Sequence, residues 1–225
     1  MTEIRGVLFD VDGTLVDSNY LHTVAWWQAF RRLDYDIPMA GIHRAIGMGG
    51  DKLIGHLLGG DPDPEIEETL DSTHGAVFST FWPSLRAFDG AADLLRATAG
   101  RGLAVVLASS ASAADLDALR AAIDADDAIT KATSSSDAVE SKPAPDILQA
   151  ALDSADLRAK DTVFVGDSIW DIKSAAKLGI PTVALTCGGT SEAELRDAGA
   201  EQVFAGPREL LEHLDDSLLG QLAGR

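Results

Sequence analysis

The chain has 225 residues, which is the length of one ordinary domain or of a core domain with a modest insertion. Hydrophobic residues make up 46% of it and charged residues 24%, and this globular composition excludes a disordered chain and a coiled coil. The net charge of −18 would repel a phosphate backbone, so we expect no nucleic-acid partner.

The N-terminal segment carries no recognisable targeting signal. It lacks the charged, apolar and cleavable regions of a leader and enters an apolar run at Ile4. No run approaches the ~20 apolar residues of a membrane span, and the single cysteine, Cys187, cannot form an internal disulfide. We therefore expect a cytoplasmic protein that does not bind a membrane.

The first predicted strand, residues 4–9, is followed by a long helical segment. Residues 17–87 contain the helical patterns 20–33, 51–58 and 64–81 and no convincing strand. Within them, Trp26 and Phe30 recur at helical spacing and would contribute to a small separate core. We therefore predict an inserted helical domain over residues 17–87, with the core domain formed by residues 1–16 and 88–225.

Beyond residue 87, helical patterns alternate with short apolar runs. The helical patterns are residues 91–99, 113–123, 145–152 and 169–178. The runs, which predict buried strands, are residues 103–107, 162–165 and 182–185. Strands that alternate with helices pair in parallel, so the pattern predicts an α/β fold with a doubly wound parallel sheet covered by helices on both faces.

Acidic residues follow two of the predicted strands. Asp10 and Asp12 come after the first strand, two residues apart, so in an extended chain they project on one side. Gly13 then predicts a tight turn. Asp167 and Asp171 follow a later strand, and a four-residue step into a helix returns the second carboxylate to the side of the first. Because the carboxyl ends of parallel strands meet at one edge of a sheet, we expect all four acids to converge there.

Such a cluster of carboxylates stays ionised only where cations offset the mutual repulsion. Oxygen ligands without histidine or cysteine favour Mg²⁺, which binds carboxylates together with water and phosphate oxygens. Lys142 is a candidate second cation, and the Ser109 hydroxyl, after the strand at 103–107, is a candidate phosphate ligand. Taken alone, Ser109 is more typical of a helix N-cap than of a phosphate ligand, and Lys142 is more typical of a surface turn.

Four short motifs in chain order resemble those of the haloacid dehalogenase superfamily. They are Asp10-Val11-Asp12-Gly13-Thr14-Leu15, Ser109, Lys142-Pro143 and Gly166-Asp167-Ser168-Ile169-Trp170-Asp171. The helical segment after the first motif resembles the C1 cap of that superfamily, and hydrolases similar to phosphoglycolate phosphatase look like the nearest relatives. The resemblance implies a hydrolase that removes phosphate from a small phosphorylated metabolite, with Mg²⁺ as its cofactor.

The resemblance also implies a role for each motif residue. Asp10 would attack phosphorus and form an aspartyl phosphate, while Asp12 would serve first as general acid and then as general base. Three acidic residues would hold the metal ion: the Asp10 carboxylate, the Asp12 backbone carbonyl and Asp167. Asp171 would position the waters of the metal or Lys142. Lys142 and Ser109 would bind the phosphate oxygens as charge develops.

Two residues of the helical segment are candidate substrate contacts. Lys52 ends the glycine-rich stretch of residues 47–52, which resembles the loop that reaches over the substrate in caps of this kind. The alternative for Lys52 is an exposed lysine at a helix start. His22 stands where sugar-phosphate mutases of the superfamily carry a histidine, and its alternative is a histidine on the cap surface.

Two other functions compete with the phosphatase. A transferase similar to β-phosphoglucomutase would need basic cap groups to reorient a bisphosphate intermediate, but residues 53–87 offer only His56, His74 and Arg86. A non-enzymatic signalling module would also phosphorylate an aspartate beside Mg²⁺ and a lysine, yet such modules are shorter and have no cap. No exposed apolar stripe demands a partner, so we expect a monomer or a small homo-oligomer.

Overall fold

The computed structural model describes residues 4–224; residues 1–3 and 225 of the predicted core domain lie outside the described residues. Six strands form one parallel sheet: β1 (Gly6–Phe9), β2 (Ala104–Ala108), β3 (Lys131–Thr133), β4 (Thr162–Gly166), β5 (Thr182–Leu185) and β6 (Gln202–Phe204). Their order is β3-β2-β1-β4-β5-β6, so β2 and β3 lie on one side of β1 and β4, β5 and β6 lie on the other. This doubly wound sheet confirms the predicted fold class.

Four helices follow β1 directly in the chain, and we call them the cap: α1 (Asn19–Arg32), α2 (Met39–Ala45), α3 (Gly50–Leu58) and α4 (Pro64–Ser79). They share a hydrophobic cluster that includes Trp26, Phe30, Ile42, Leu53 and Leu70. Burying each large side chain of this cluster stabilises the cap by about 1.5–3 kcal/mol. The sequence pattern missed α2, because seven residues that include Gly41 show no clear helical period. Domain boundaries at residues 17 and 87 stay a prediction.

Seven further helices accompany the sheet: α5 (Ala91–Gly100), α6 (Ala113–Ile123), α7 (Asp146–Ser154), α8 (Ile169–Lys177), α9 (Glu192–Ala198), α10 (Pro207–Glu212) and α11 (Leu218–Ala223). Successive residues of β1 point into different hydrophobic clusters, with Val7 and Phe9 in one and Leu8 in the other. Because both faces of the sheet are covered, the central strands are apolar at nearly every position.

The edge strands β3 and β6 were not predicted from the sequence. Each has three residues and pairs on one side only. Lys131 and Gln202 begin them, so neither strand is marked by an apolar run. Pairing with a neighbouring strand, rather than a local pattern, makes these segments extended.

The strand register brings three loop starts together at the centre of the sheet edge. Phe9 of β1 lies level with Leu107 of β2 and with Val165 of β4. The residues that follow these strands are therefore neighbours, and this edge of the sheet faces the cap. Within residues 4–224 there is no helix that combines the length and the apolar character needed to cross a membrane.

Candidate active site

Three carboxylates gather where β1 and β4 end. Asp10 follows β1, Asp167 follows β4, and Asp171 lies in the first turn of α8. One oxygen of each lies within 4.8 Å of the others, and all three residues are buried. The paired strands produce this proximity, and the Asp10 N–H donates to the Val165 carbonyl at 2.9 Å. Within residues 4–224, no other group of three acidic, histidine or cysteine side chains could share one metal ion.

A helix cap fixes the third carboxylate of the cluster. Ser168 precedes α8, and its hydroxyl accepts a hydrogen bond from the Asp171 N–H. In return, Asp171 Oδ2 accepts hydrogen bonds from the Ser168 N–H at 3.1 Å and the Ser168 hydroxyl at 2.7 Å. Gly166 leaves room for this arrangement, since a Cβ there would lie 2.8 Å from the Asp171 carboxylate. The other oxygen, Oδ1, lies 2.8 Å from Lys142 Nζ.

Hydrogen bonds from the loop after β1 tie the other two carboxylates together. The turn at Gly13, with φ of +74°, brings Thr14 back over the strand end. The Thr14 hydroxyl lies 3.0 Å from Asp10 Oδ2 and 3.1 Å from Asp167 Oδ1, so it bridges the two groups. Asn19, at the start of α1, donates to Asp167 Oδ2 at 2.8 Å. The first cap helix therefore helps to position a core carboxylate.

Lys142 supplies the cation of the cluster. Its side chain is 1% exposed, and its ammonium nitrogen lies 2.5 Å from Asp10 Oδ1 and 2.8 Å from Asp171 Oδ1. Burial alone would lower the pKa of this lysine, but the two carboxylates outweigh burial and raise it above its usual value. Lys142 is therefore a buried, permanently charged partner of the cluster rather than a surface lysine.

One lysine does not compensate three buried carboxylates. Burial, repulsion from Asp171 and repulsion from Asp12 raise the pKa of Asp10 to about 7, even though Lys142 opposes them. Burial and the neighbouring carboxylates also raise the pKa of Asp167 well above its usual value. Without a further cation the cluster therefore retains protons near neutral pH.

The donor set suits a hard divalent cation. Asp10, Asp167 and Asp171 offer only carboxylate oxygens. Because Lys142 offsets only one of their three negative charges, the cluster would favour a divalent cation that displaces the protons it retains. Neither a thiol nor an imidazole belongs to this group in the described chain, so zinc and copper are disfavoured. The residues fit the Mg²⁺ ion that the sequence predicted.

Contrary to the sequence-based expectation, the Asp12 carboxylate does not join the other three acids. Its carboxylate lies outside the group of three and turns toward the cap, where Oδ1 accepts a hydrogen bond from Ser18 at 2.6 Å and lies 3.0 Å from His22 Nε2. Burial would raise its pKa, but His22 and the Ser18 hydrogen bond outweigh burial and lower it. The local hydrogen bonds after the Gly13 turn separate Asp12 from the cluster, so three rather than four carboxylates converge.

Ser109 is fully buried where β2 ends, but it is not a helix cap. Its hydroxyl accepts a hydrogen bond from the Ala111 N–H at 3.0 Å, and Ser112 caps α6 instead. Ser109 does not line the cavity described below, whereas Ser110 does. The Ser110 hydroxyl oxygen is buried without a hydrogen-bond partner among residues 4–224. Its placement makes Ser110 the hydroxyl most available to a ligand at this strand end.

A cavity of about 690 Å³ lies between the cap and the ends of β1 and β2. Asp10, Asp12 and Lys142 line its core side, and His22 and His74 are among the residues that line its cap side. The cavity is of the size that holds small-molecule ligands. Of the three clustered carboxylates, Asp10 is thus open to a small molecule in the cavity, although it is otherwise buried.

The two candidate cap contacts differ in their placement. His22 is 12% exposed, lines the cavity and contacts Asp12, so the interpretation as a surface histidine is wrong. Lys52 does not line the cavity; its ammonium group lies 3.5 Å from Glu140 and its side chain is 38% exposed. The lysine therefore fits the alternative of an exposed residue at a helix start, because α3 begins at Gly50.

The comparison with known families agrees with this geometry. Residues 4–179 match the family model of the haloacid dehalogenase-like hydrolases. The chain belongs to this family. The matched residues include all three carboxylates and Lys142, so the hydrolase has its buried cluster within the segment that defines the family.

Individual relatives extend over nearly the whole hydrolase. The plasmid form of protein CbbY from Cupriavidus necator is 28% identical, covering 95% of this chain and 87% of that protein. A phosphoglycolate phosphatase from Escherichia coli strain K12 is 31% identical, covering 83% of this chain and 82% of that protein. The crystal structure of a hydrolase from Pseudomonas syringae has a TM-score of 0.90 at 30% identity, covering 94% of this chain and 98% of that one.

The sequence patterns did not identify several residues that support the site of this hydrolase. Thr14 lies inside the first motif, and that position could have indicated a role for its hydroxyl. Gly188 packs against Asp167, since a Cβ there would lie 1.7 Å from Oδ2, and its position after β5 was a weaker signal. Asn19 and His74 carry no signal in the sequence, because only the packing of the cap brings them to the cavity.

Proposed function

We propose that this hydrolase is a Mg²⁺-dependent phosphatase that cleaves a small phosphomonoester through an aspartyl phosphate on Asp10. One observation carries the proposal: Asp10 lies at the floor of a small-molecule cavity, beside Lys142 and within 4.8 Å of two further carboxylates. A nucleophilic carboxylate, a fixed cation and an oxygen-only metal site are what phosphoryl transfer requires. The names of the phosphatase relatives support the same chemistry.

The chemistry would proceed in two displacements. An Asp10 carboxylate oxygen attacks phosphorus while the bond to the leaving oxygen breaks, and Asp12 gives its proton to that oxygen. Water then attacks the phosphorus of the acyl phosphate and gives a proton to Asp12, which releases inorganic phosphate and restores the Asp10 carboxylate. A bound Mg²⁺ ion would neutralise charge on the phosphoryl oxygens. Lys142 would do the same from the side of Asp10 and Asp171.

The hydrogen bonds of Asp12 suit both of its proposed tasks. Its lowered pKa leaves it ionised in the free protein, which is the form that accepts a proton from water. A dianionic phosphate ester bound nearby would favour the protonated form, because like charges disfavour ionisation. Ser18 and His22 both contact Oδ1. Among the described residues Oδ2 has no such partner, so it would be the oxygen that exchanges protons with the leaving group.

The charge of the cavity limits the substrate. Five carboxylates line it beyond the catalytic acids: Asp51, Glu67, Glu68, Asp71 and Asp115. Among its lining residues in the described chain, Lys142 is the only lysine or arginine. Partial burial and the neighbouring acids raise the pKa of Asp71, so the negative charges of this wall repel one another. We infer that the leaving group is neutral or cationic and that a second anionic group, as in phosphoglycolate, weakens binding.

The same wall disfavours the mutase alternative. A bisphosphate intermediate must present its second phosphate to the cap side while the first reacts, and that phosphate would face carboxylates. The formation of glucose 6-phosphate from β-glucose 1-phosphate would revive this alternative. A phospho-enzyme that persists for minutes without turnover would instead favour the signalling module.

A phosphate-release assay tests the proposal. We expect the wild-type protein to release phosphate, in the presence of Mg²⁺, from some members of a panel of phosphomonoesters whose leaving groups are neutral or carry an amine. Excess EDTA should abolish the release and added Mg²⁺ should restore it. Asp10→Asn should be inactive while retaining a folded circular dichroism spectrum. Activity that survives both chelation and this substitution would rule the proposal out.

A further inference from the structure

Two histidines of the cap continue the hydrogen-bond network of Asp12. His22 Nε2 lies 3.0 Å from Asp12 Oδ1, and His22 Nδ1 lies 3.0 Å from His74 Nε2. His22 belongs to α1 and His74 to α4, so the network passes from the core loop through two cap helices. In residues 4–224, His74 is the only hydrogen-bond partner of His22 Nδ1.

Aromatic packing holds both imidazole rings in place. His22 stacks on the buried Phe78 with ring centres 3.7 Å apart, and His74 stacks on Trp26 with centres 4.1 Å apart. The interplanar angles are 14° and 9°, so both pairs are nearly parallel. Stacking fixes the plane of each ring but not which nitrogen points toward its neighbour. Hydrogen bonds must therefore decide the ring orientation of His22.

The order of these hydrogen bonds follows from the carboxylate. An ionised Asp12 can only accept, so His22 Nε2 must carry a hydrogen and donate it. Burial and the neighbouring His22 lower the pKa of His74, which keeps this imidazole neutral. A neutral imidazole offers one donor and one acceptor nitrogen, so His74 Nε2 can pair with His22 Nδ1 whichever of the two carries the hydrogen. Without His74, His22 Nδ1 would have no hydrogen-bond partner among residues 4–224 to hold its ring.

We propose that His74 is a positioning residue that orients His22 and thereby keeps Asp12 Oδ2 directed at the leaving group of the substrate. The inference rests on the proposed function of Asp12 as general acid. It assigns to α4 a catalytic contribution that no motif in the sequence indicates. His74 itself would not contact the reacting atoms, because it acts only through His22.

The test compares two leaving groups in variants of the full-length protein. An alkyl phosphate such as glycerol 2-phosphate needs a proton on its leaving oxygen, whereas p-nitrophenyl phosphate does not. Gln and Asn form a matched pair at position 74, since Gln places its amide nitrogen near the position of Nε2 and Asn near that of Nδ1. His74→Gln should retain most activity on both substrates. His74→Asn and His74→Phe should lower kcat for the alkyl phosphate by about 10- to 100-fold, part of the 10²–10⁴ of general acid catalysis, and change p-nitrophenyl phosphate cleavage less than about threefold.

The results distinguish a positioning role of His74 from a purely structural one. Equal losses on both substrates, or no loss on either, would overturn the inference, and so would identical behaviour of His74→Gln and His74→Asn. His213→Phe, at an exposed histidine after α10, is the control and should match the wild type. If His74→Phe does not fold, the Gln and Asn pair still decides the matter. Wild-type protein that cleaves neither substrate would instead count against the proposed function.

Discussion

Lys142 Nζ and Asp10 Oδ1 form a buried ion pair at 2.5 Å that joins residues 132 positions apart in the chain. Each partner is almost inaccessible from bulk water, and the second contact of the lysine, to Asp171 Oδ1, is also buried. The pair therefore links the nucleophile proposed for the reaction to the stability of the fold.

Replacing the lysine should affect both properties. In Lys142→Met the side-chain volume is similar but two carboxylates lose their cation, so we expect the unfolding free energy of the metal-free protein to fall by about 3–5 kcal/mol. Phosphate release should fall at least about 100-fold, because one preorganised charge is lost. Urea unfolding and phosphate assays measure the two effects. Lys160→Met, at an exposed position, should change neither, and an active Lys142→Met would contradict the proposed role.

The raised pKa of Asp10 predicts how stability depends on pH. The folded protein binds a proton at Asp10 up to about pH 7, whereas the unfolded chain releases it near pH 4. Asp10 therefore adds stability at low pH that is lost as the pH rises through about 7, by at most about 1.4 kcal/mol per pH unit. The lowered pKa of Asp12 acts in the opposite direction, but only below about pH 4.

Magnesium should reverse this dependence. The metal ion competes with the proton on Asp10 and Asp167, so its affinity should rise with pH and level off above about pH 7. Thermal melts with and without Mg²⁺, at several pH values between about 5 and 8, measure both effects. Asp10→Asn should reduce the slope in the metal-free protein, and the raised pKa of Asp167 should account for the slope that remains. A Mg²⁺ affinity that does not vary with pH would show that these carboxylates are not its ligands.

The acidic wall of the cavity predicts a change of specificity. The double variant Glu68→Gln with Asp71→Asn removes two negative charges that line the cavity. We expect kcat/KM for phosphoglycolate to rise by about 3- to 10-fold, with less change for a neutral phosphate ester, since partly screened charges contribute up to about 1 kcal/mol each. The gain should shrink at high salt. Asp197→Asn, which removes a charge from the exposed part of α9, is the control. A uniform change for all substrates would refute the electrostatic account.

Gly188 predicts an effect without any change of charge. In Gly188→Ala the new Cβ would lie 1.7 Å from Asp167 Oδ2, so this carboxylate must move away from its partners. We expect Mg²⁺ affinity to fall about 10- to 100-fold, which is the usual cost of disturbing the surroundings of a metal ligand. Isothermal titration with Mg²⁺ measures the change. Gly41→Ala, where nothing lies within 4 Å of the new atom, should bind as the wild type does.

The sequence indicated the core of this protein well because its signals are local. Four buried strands carry apolar runs that follow from burial on both faces of the sheet, and Asp10 and Asp167 directly follow two of them. The edge strands escaped prediction because short, half-covered segments need no apolar run. Helix α2 escaped because it is too short to show a period.

Within the site, the sequence alone determined which acids end the central strands and that a lysine accompanies them. Only the tertiary structure decided that the Asp12 carboxylate lies outside the group of three, that His22 reaches it from the cap and in turn contacts His74, and that acidic residues line the cavity. The reason is physical. The ends of the strands can be predicted because each strand carries a local apolar run. The contacts across the cavity join segments that are far apart in the chain, and packing of the whole cap sets their relative placement.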